Sequence, residues 1–332
     1  MSWQAGLLAT TLVWQSASTA TVHLELLMEP GFPPGQDRRW LEVLEPLPDL
    51  SIRIRIAQVG EQPAIEPRGR GWHVLGILTR NNQLRLPGGT FNLGDRAALA
   101  GWLSRLRADG PEAVTGNLGP FDLTKTQWTE LFDKLRPSVG QSTRGKTLAD
   151  FIAEVASRTG LTIEVDPSLQ RELAQTQVAD ELSKLSFGTA LAIALRPSGM
   201  VVTVARRQGK PVLRVTSADR VTTYWPIGYT PEGNLQQTLP ALLKYLSVEI
   251  NDTPVSEVFK AIEERIGAPI LVDHNGCARE GIVLDEVRVT IPGKRTFYKR
   301  ILDQAAFAAR LTVELRVDEA GTPFVWIKPI RN

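Results

Sequence analysis

The segment Asp273-His274-Asn275-Gly276-Cys277 places an acid, an imidazole and a thiol within five residues. Cysteine chemistry needs a thiolate made by an adjacent base, and a third group to orient that base. No third group is identifiable in this loop. Asp273 also has a simpler reading, as a strand-end carboxylate that takes backbone N–H groups in a turn. A second cluster, Gly293-Lys294-Arg295-Thr296-Phe297-Tyr298-Lys299-Arg300, interleaves four cations with two aromatics. Such a patch can stack on bases and hold phosphates, and it can equally meet an acidic protein. It also reads as a helix start with a solvated basic face, with Phe297, Ile301 and Leu302 turned inward. Gly116-Asn117-Leu118-Gly119 has the form of a glycine loop that clamps an RNA backbone. It lacks a basic flank and an abutting helix, so it reads as a turn, as does Leu86-Pro87-Gly88-Gly89. One cysteine, Cys277, and three histidines, His23, His73 and His274, leave little material for a metal cage. No phosphate loop, dinucleotide fingerprint or zinc spacing occurs. No catalytic residue, metal or cofactor is therefore expected.

Those residues must be held by folded elements. The chain has 332 residues, 42% of them hydrophobic and 22% charged. These are ordinary values for a globular protein, and the length suits two or three domains of about 100–200 residues. With 38 basic and 36 acidic residues, the net charge of +2 is too balanced to imply nucleic acid, a membrane surface or an acidic substrate. No run of 18 apolar residues exists, so no transmembrane helix is expected. The first charged residue is Glu25, and the apolar run from Ala5 to Trp14 is followed by Ser18-Thr19-Ala20. That is the form of a secretory signal over residues 1–20, although its basic start is missing. Cleavage would place a mature chain from Thr21 in the periplasm or envelope. An uncleaved chain would be cytoplasmic.

Residues 21–137 read as one α+β domain. A strand is expected over 22–28, and Trp40, Val43, Leu44 and Leu47 repeat at helical spacing. The run Ser51-Ile52-Arg53-Ile54-Arg55-Ile56 alternates as a half-buried strand must. A hairpin over 72–79 and 83–86 turns at Asn81-Asn82. Leu99, Trp102, Leu103 and Leu106 mark a second helix. Trp128, Leu131, Phe132 and Leu135 mark a third, opened by the capping-box pair Thr124 and Gln127. The order suggests a split βαβ sandwich.

The remainder repeats itself. Leu148, Phe151, Val155, Gly160 and Asp166 match Val255, Val258, Ile262, Gly267 and Asp273 at a constant offset of 107. After a four-residue insertion, Leu191 and Met200 pair with Leu302 and Leu311 at 111. Gly209 and Pro211 then pair with Gly321 and Pro323 at 112. A repeated supersecondary unit explains this. In the second copy it predicts a strand over 247–250, a helix over 255–266 and strands over 270–272 and 287–291. A helix over 295–309 and a hairpin of 312–317 with 324–327 follow. Thr253 is expected to cap the first helix, with Pro254 at its first position. Tyr224-Trp225-Pro226-Ile227-Gly228-Tyr229 is aromatic enough to pack between the copies.

The pattern Val255-x-x-Val258-Phe259-x-x-Ile262, then Gly267, then Ile270-Leu271-Val272-Asp273, resembles the secretin and TonB N-terminal short domain. The first copy resembles it from Leu148 to Asp166 and departs over 167–186, which is polar and helix-prone where that family has a strand. The whole chain is also similar to bacterial proteins of this layout with no assigned activity. The resemblance implies an α+β envelope module that binds another protein, without catalysis. The expected architecture is α+β, three small α/β-sandwich domains, the last two a repeated βαββαβ-type module. Its parts are the possible signal 1–20, a domain 21–137, a first module 138–218, an aromatic connector 219–245 and a second module 246–332. The expected function is non-catalytic protein binding or a structural role in the envelope. The partner would be a protein such as an envelope or secretion-system component, adding a strand to a sheet edge of the hairpin 311–327. Arg316 and Trp326 are candidate anchors, because Arg and Trp dominate hot spots. Lys294, Arg295, Lys299 and Arg300 are candidate contacts. The alternatives are a nucleic-acid binder using 294–300 and an enzyme using Asp273, His274 and Cys277.

Overall fold

A computed structural model describes residues 20–116, 118–207 and 210–330. The expected signal thus lies, apart from Ala20, outside the described residues. The chain has the α+β composition expected, and it divides between Leu118 and Gly119 into two units.

In the first unit, strand β1 (Val22–Met28) is flanked by two parallel neighbours, β2 (Leu50–Ile56) and β4 (Gly71–Leu78). Helix α1 (Gln36–Leu44) makes the first crossover. Strand β3 (Ala64–Arg68) pairs antiparallel with β4 on its other side, followed by β5 (Leu84–Leu86) and β6 (Gly89–Phe91). Helix α2 (Arg96–Asp109) and the short α3 (Glu112–Thr115) complete the unit. Trp40 and Leu44 of α1 and Leu99, Trp102, Leu103 and Leu106 of α2 bury against Val22, Leu24 and Leu26 of β1. The opposite sheet face carries polar residues. There Glu25 accepts from Arg55 Nε at 2.6 Å and meets His73 Nε2 at 3.0 Å, and Arg55 also binds Glu61.

The second unit opens with α4 (Lys125–Leu135), whose capping box of Thr124 and Gln127 forms as expected. The sequence places this helix in the domain 21–137. In the structure Leu131 and Leu135 instead enter the core built by Phe151, Val155 and Leu191. An apolar helical face specifies burial, but not against which neighbour.

The repeat is real in three dimensions. The first module runs α5 (Leu148–Thr159), β7 (Ile163–Val165), α6 (Gln170–Gln175), α7 (Phe187–Leu195), β8 (Met200–Arg207) and β9 (Lys210–Ser217). A one-turn helix α8 (Leu235–Thr238) precedes the second module. That module runs β10 (Tyr245–Pro254), α9 (Val255–Ile266), β11 (Ile270–Val272), α10 (His274–Arg279), β12 (Arg288–Phe297), α11 (Tyr298–Ala308), β13 (Leu311–Val317) and β14 (Pro323–Pro329). The first module has the sheet β7-β9-β8 and the second β11-β14-β13. Each pairs its short strand parallel and its hairpin antiparallel. Gly160 and Gly267 end the matching helices at φ of 65° and 72°, a conformation that favours glycine.

The modules differ in one element. In the second, β10 and β12 form a long two-stranded ribbon running from Tyr245↔Phe297 to Pro254↔Arg288. The first module keeps only two isolated bridges, Ser138↔Ser186 and Thr147↔Gln177. These fall at the repeat-equivalent positions of the two ribbon ends, by the same offsets of 107 and 111. The first module therefore retains the path of the ribbon, crossed by the backbone hydrogen bonds Val139 N–H to Leu185 O, Gly140 N–H to Ser183 O and Val178 N–H to Lys146 O, without forming continuous strands. The polar segment 167–186 supplies one side of this path from Gln177 onward, and its earlier part forms α6, in the place that α10 takes in the second module.

Three local expectations are corrected. Thr253 does not cap α9: it lies in β10, its hydroxyl donates to Asn251 O, and Pro254 occupies the cap position. The helix expected from residue 295 begins at Tyr298, because β12 continues past a register shift to Phe297. The loop expected at Asp273–Cys277 forms the start of the six-residue helix α10.

Candidate partner-binding surface

The connector from Tyr224 to Tyr229 packs between the modules as its composition suggests. Trp225 is fully buried, lies parallel to Phe121 at 6.1 Å and meets Trp128 at 5.3 Å. Its indole N–H donates to Glu319 Oε1 at 2.6 Å. Glu319, only 5% exposed, also accepts from the Ser186 hydroxyl and from the Thr189 N–H and hydroxyl at 3.1 and 2.9 Å. Its neighbour Asp318 accepts from Ser186 N–H at 2.7 Å. Two acids in the β13–β14 turn of one module thus grip the start of α7 in the other. Burial pushes the Glu319 carboxyl above its ordinary range, against the lowering effect of its donors. In the sequence both acids fall between the hairpin strands expected over 312–317 and 324–327, where nothing local marks them as buried. Only the nearby Ser186-x-x-Thr189 donors and the apolar run after them hint at docking.

The joint fixes how the second module is presented, and it decides the fate of two candidate anchors. Trp326 is 3% exposed and packs with Leu271 and Phe324 in the core shared with the first module. Val325 and Ile327 fill the other face of β14. Both faces of this sheet are covered, so Trp326 is a packing residue and is not available to a partner. Arg316 donates to Glu314 through Nε at 3.0 Å and to Ile227 O at 2.7 Å, which ties β13 to the connector. The outer edge of β13 is also closed at one end, where Tyr229 and Val317 exchange backbone hydrogen bonds.

In the Asp273 loop no hydrogen bond joins the acid, the imidazole and the thiol to one another among the described residues. Asp273 caps α10 by accepting from Gly276 N–H at 3.0 Å, the turn role expected of it. His274 Nε2 meets Asp180 Oδ1 at 3.2 Å in the first module, and that carboxylate raises the imidazole above its ordinary value. Cys277 is buried, and burial pushes its thiol up to about 11. A nucleophilic cysteine needs the opposite shift. No group of three or more His, Cys, Asp or Glu able to hold a metal occurs among the described residues.

The remaining candidates lie on the ribbon and the start of α11. Arg295 sits over the Tyr245 ring at 5.8 Å, and Tyr245, 67% exposed, meets Phe297 edge-on at 5.8 Å. Lys299 pairs with Asp303 at 2.5 Å, and Arg300 is exposed. Lys294 lines a groove of about 340 Å³ between β12 and α11, with Arg288, Ile291, Gln304 and Phe307. Phe307 is 73% exposed, the most exposed aromatic of the described residues, and no motif in the sequence marks it. Strand β12 pairs with β10 alone, so its other edge is free among the described residues. A free edge offers unpaired backbone donors and acceptors to an added strand.

No helix among the described residues is long and apolar enough to cross a membrane. Comparison with family models, curated proteins and solved structures finds no match to this chain.

Proposed function

We propose that this chain is a non-catalytic protein-binding or structural component of the bacterial envelope, built on two modules similar to the secretin and TonB N-terminal short domain. The observation that carries the reading is the free β12 edge, set beside an exposed Phe307 on a module clamped to its neighbour. A fixed scaffold that offers a strand edge and an apolar anchor recruits an extended segment by strand addition. The chemistry of the Asp273 loop also favours binding over catalysis, since its thiol is held protonated and its histidine is turned to Asp180. The test is complementation of a deletion strain of the native host. The His274→Ala/Cys277→Ala double variant is expected to restore the wild-type phenotype, and Phe307→Ser is expected to fail while accumulating to normal levels. The reverse pattern would replace the binding reading with an enzymatic one.

A further inference from the structure

The groove beside β12 does not end at Phe307. The cavity it lines on one side adjoins a second of about 550 Å³ that shares Phe307 and Ala308 and reaches Glu280, Arg310 and Ile330. This in turn meets a third cavity through Glu280, Pro329 and Ile330, where Arg279 is added. The path runs from the free edge of β12, across Phe307, to the end of β14.

Its charge is one-sided. Arg288 donates to the carbonyl oxygen of Asp252 and Lys294 to the amide oxygen of Gln304. Both acceptors are neutral, and neither cation forms an ion pair among the described residues. Arg279 and Arg310 are exposed and form no ion pair among the described residues. Against these four cations the exposed part of the path carries one acid, Glu280. This contrasts with the chain as a whole, which is nearly neutral. Phe307 and the 43% exposed Ile330 supply apolar anchors between the cations.

We propose that this path binds an extended acidic segment of a partner protein. The segment pairs with β12 near Thr290, sets an apolar side chain against Phe307 and places carboxylates near Arg288, Lys294 and Arg310. The proposal rests on the protein-binding reading above and names its partner chemistry. A polypeptide suits the surface better than a nucleic acid. The backbone edge needs a backbone partner, and the single exposed ring of the groove gives no run of stacking platforms.

The test uses the purified full chain and fluorescein-labelled ten-residue peptides of alternating glutamate and valine, alternating lysine and valine, and a thymidine dodecamer. Fluorescence anisotropy at low and moderate salt reads the affinity. The acidic peptide is expected to bind and to weaken as salt rises, and the basic peptide is not. Phe307→Ser and Arg288→Glu/Lys294→Glu are each expected to raise Kd by about tenfold or more, with unchanged circular dichroism. Arg38→Glu/Arg39→Glu, on the first unit, is expected to leave it unchanged. Equal loss in that control would overturn the proposal in favour of diffuse charge attraction. Binding of the dodecamer without the acidic peptide would overturn it in favour of nucleic acid. A dimer that Phe307→Ser dissolves would show a second copy as the occupant. If the acidic peptide fails while Phe307→Ser still abolishes complementation, the acidic partner is wrong and the binding reading stands.

Discussion

Removing the Glu319 side chain should loosen the joint between the modules, and the geometry sets the size of the effect. Glu319→Ala leaves four donors without an acceptor. The Ser186 and Thr189 hydroxyls can rotate toward other oxygens. The Trp225 indole N–H and the Thr189 backbone N–H cannot. A buried donor left unsatisfied costs about 1–3 kcal/mol, so two of them cost about 2–6 kcal/mol. Part of this is offset because a desolvated carboxylate is no longer buried. A net loss of about 3 kcal/mol is expected, which for a unit of this size lowers Tm by about 6–12 °C. Trp225→Phe keeps the ring stack and removes one donor, so the double variant should lose less than the sum of the singles. The advantage of wild type over Glu319→Ala should also depend on pH. The folded carboxyl titrates above its unfolded value, so its contribution is complete below about pH 4.5 and declines as pH rises through the folded value. Urea unfolding followed by tryptophan fluorescence, with circular dichroism for the fold, measures all three. A loss below about 1 kcal/mol in Glu319→Ala, or strict additivity with Trp225→Phe, would refute the claim that this acid locks the modules.

Three further outcomes follow from neighbouring geometry. Gly188 lies inside α7, where alanine normally stabilises, yet a Cβ there would sit 2.4 Å from Glu319 Oε1 and 2.7 Å from Trp225 Nε1. Gly188→Ala should therefore lower Tm, and an unchanged or raised Tm would contradict the close approach. Asp166 accepts from Thr216 and Arg214, and these contacts hold its carboxyl below the ordinary range. Its stabilising contribution is present above about pH 4 and lost as pH falls through the lower folded value. Asp166→Asn should destabilise the protein at pH 7 and flatten its acid-unfolding curve, which a pH series of urea midpoints would check. Cys277, buried and with a raised pKa, should resist iodoacetamide at pH 8 until urea unfolds the chain. Labelling of the folded protein within minutes would show the thiol to be reactive after all.

Much of the fold is legible in the sequence because the repeat doubles each signal. The helix 255–266 and the strand 270–272 are read to the residue, and the matched glycines mark both helix ends. Less is legible where tertiary contact decides. Trp326 alternates with Val325, but β14 is covered on both faces, so period-two patterning cannot name an exposed side. The Lys294–Arg300 cluster reads as one basic helix face. The chain instead spends its first half on β12, which spreads the cations over a strand edge and a helix start. Asp318 and Glu319 carry every local mark of a solvated turn, and only docking against α7 buries them. Phe307 follows a buried alanine pair on α11 and reads as one more core position.

In the proposed function, the second module binds a protein through the free edge of β12. A photo-crosslinking amino acid placed at Thr290 of the full chain in its native host tests this most directly. One discrete crosslinked protein, lost when Phe307→Ser is added and absent from a probe at exposed Glu172, is the predicted result. No crosslink at Thr290, or the same products from both positions, would contradict it.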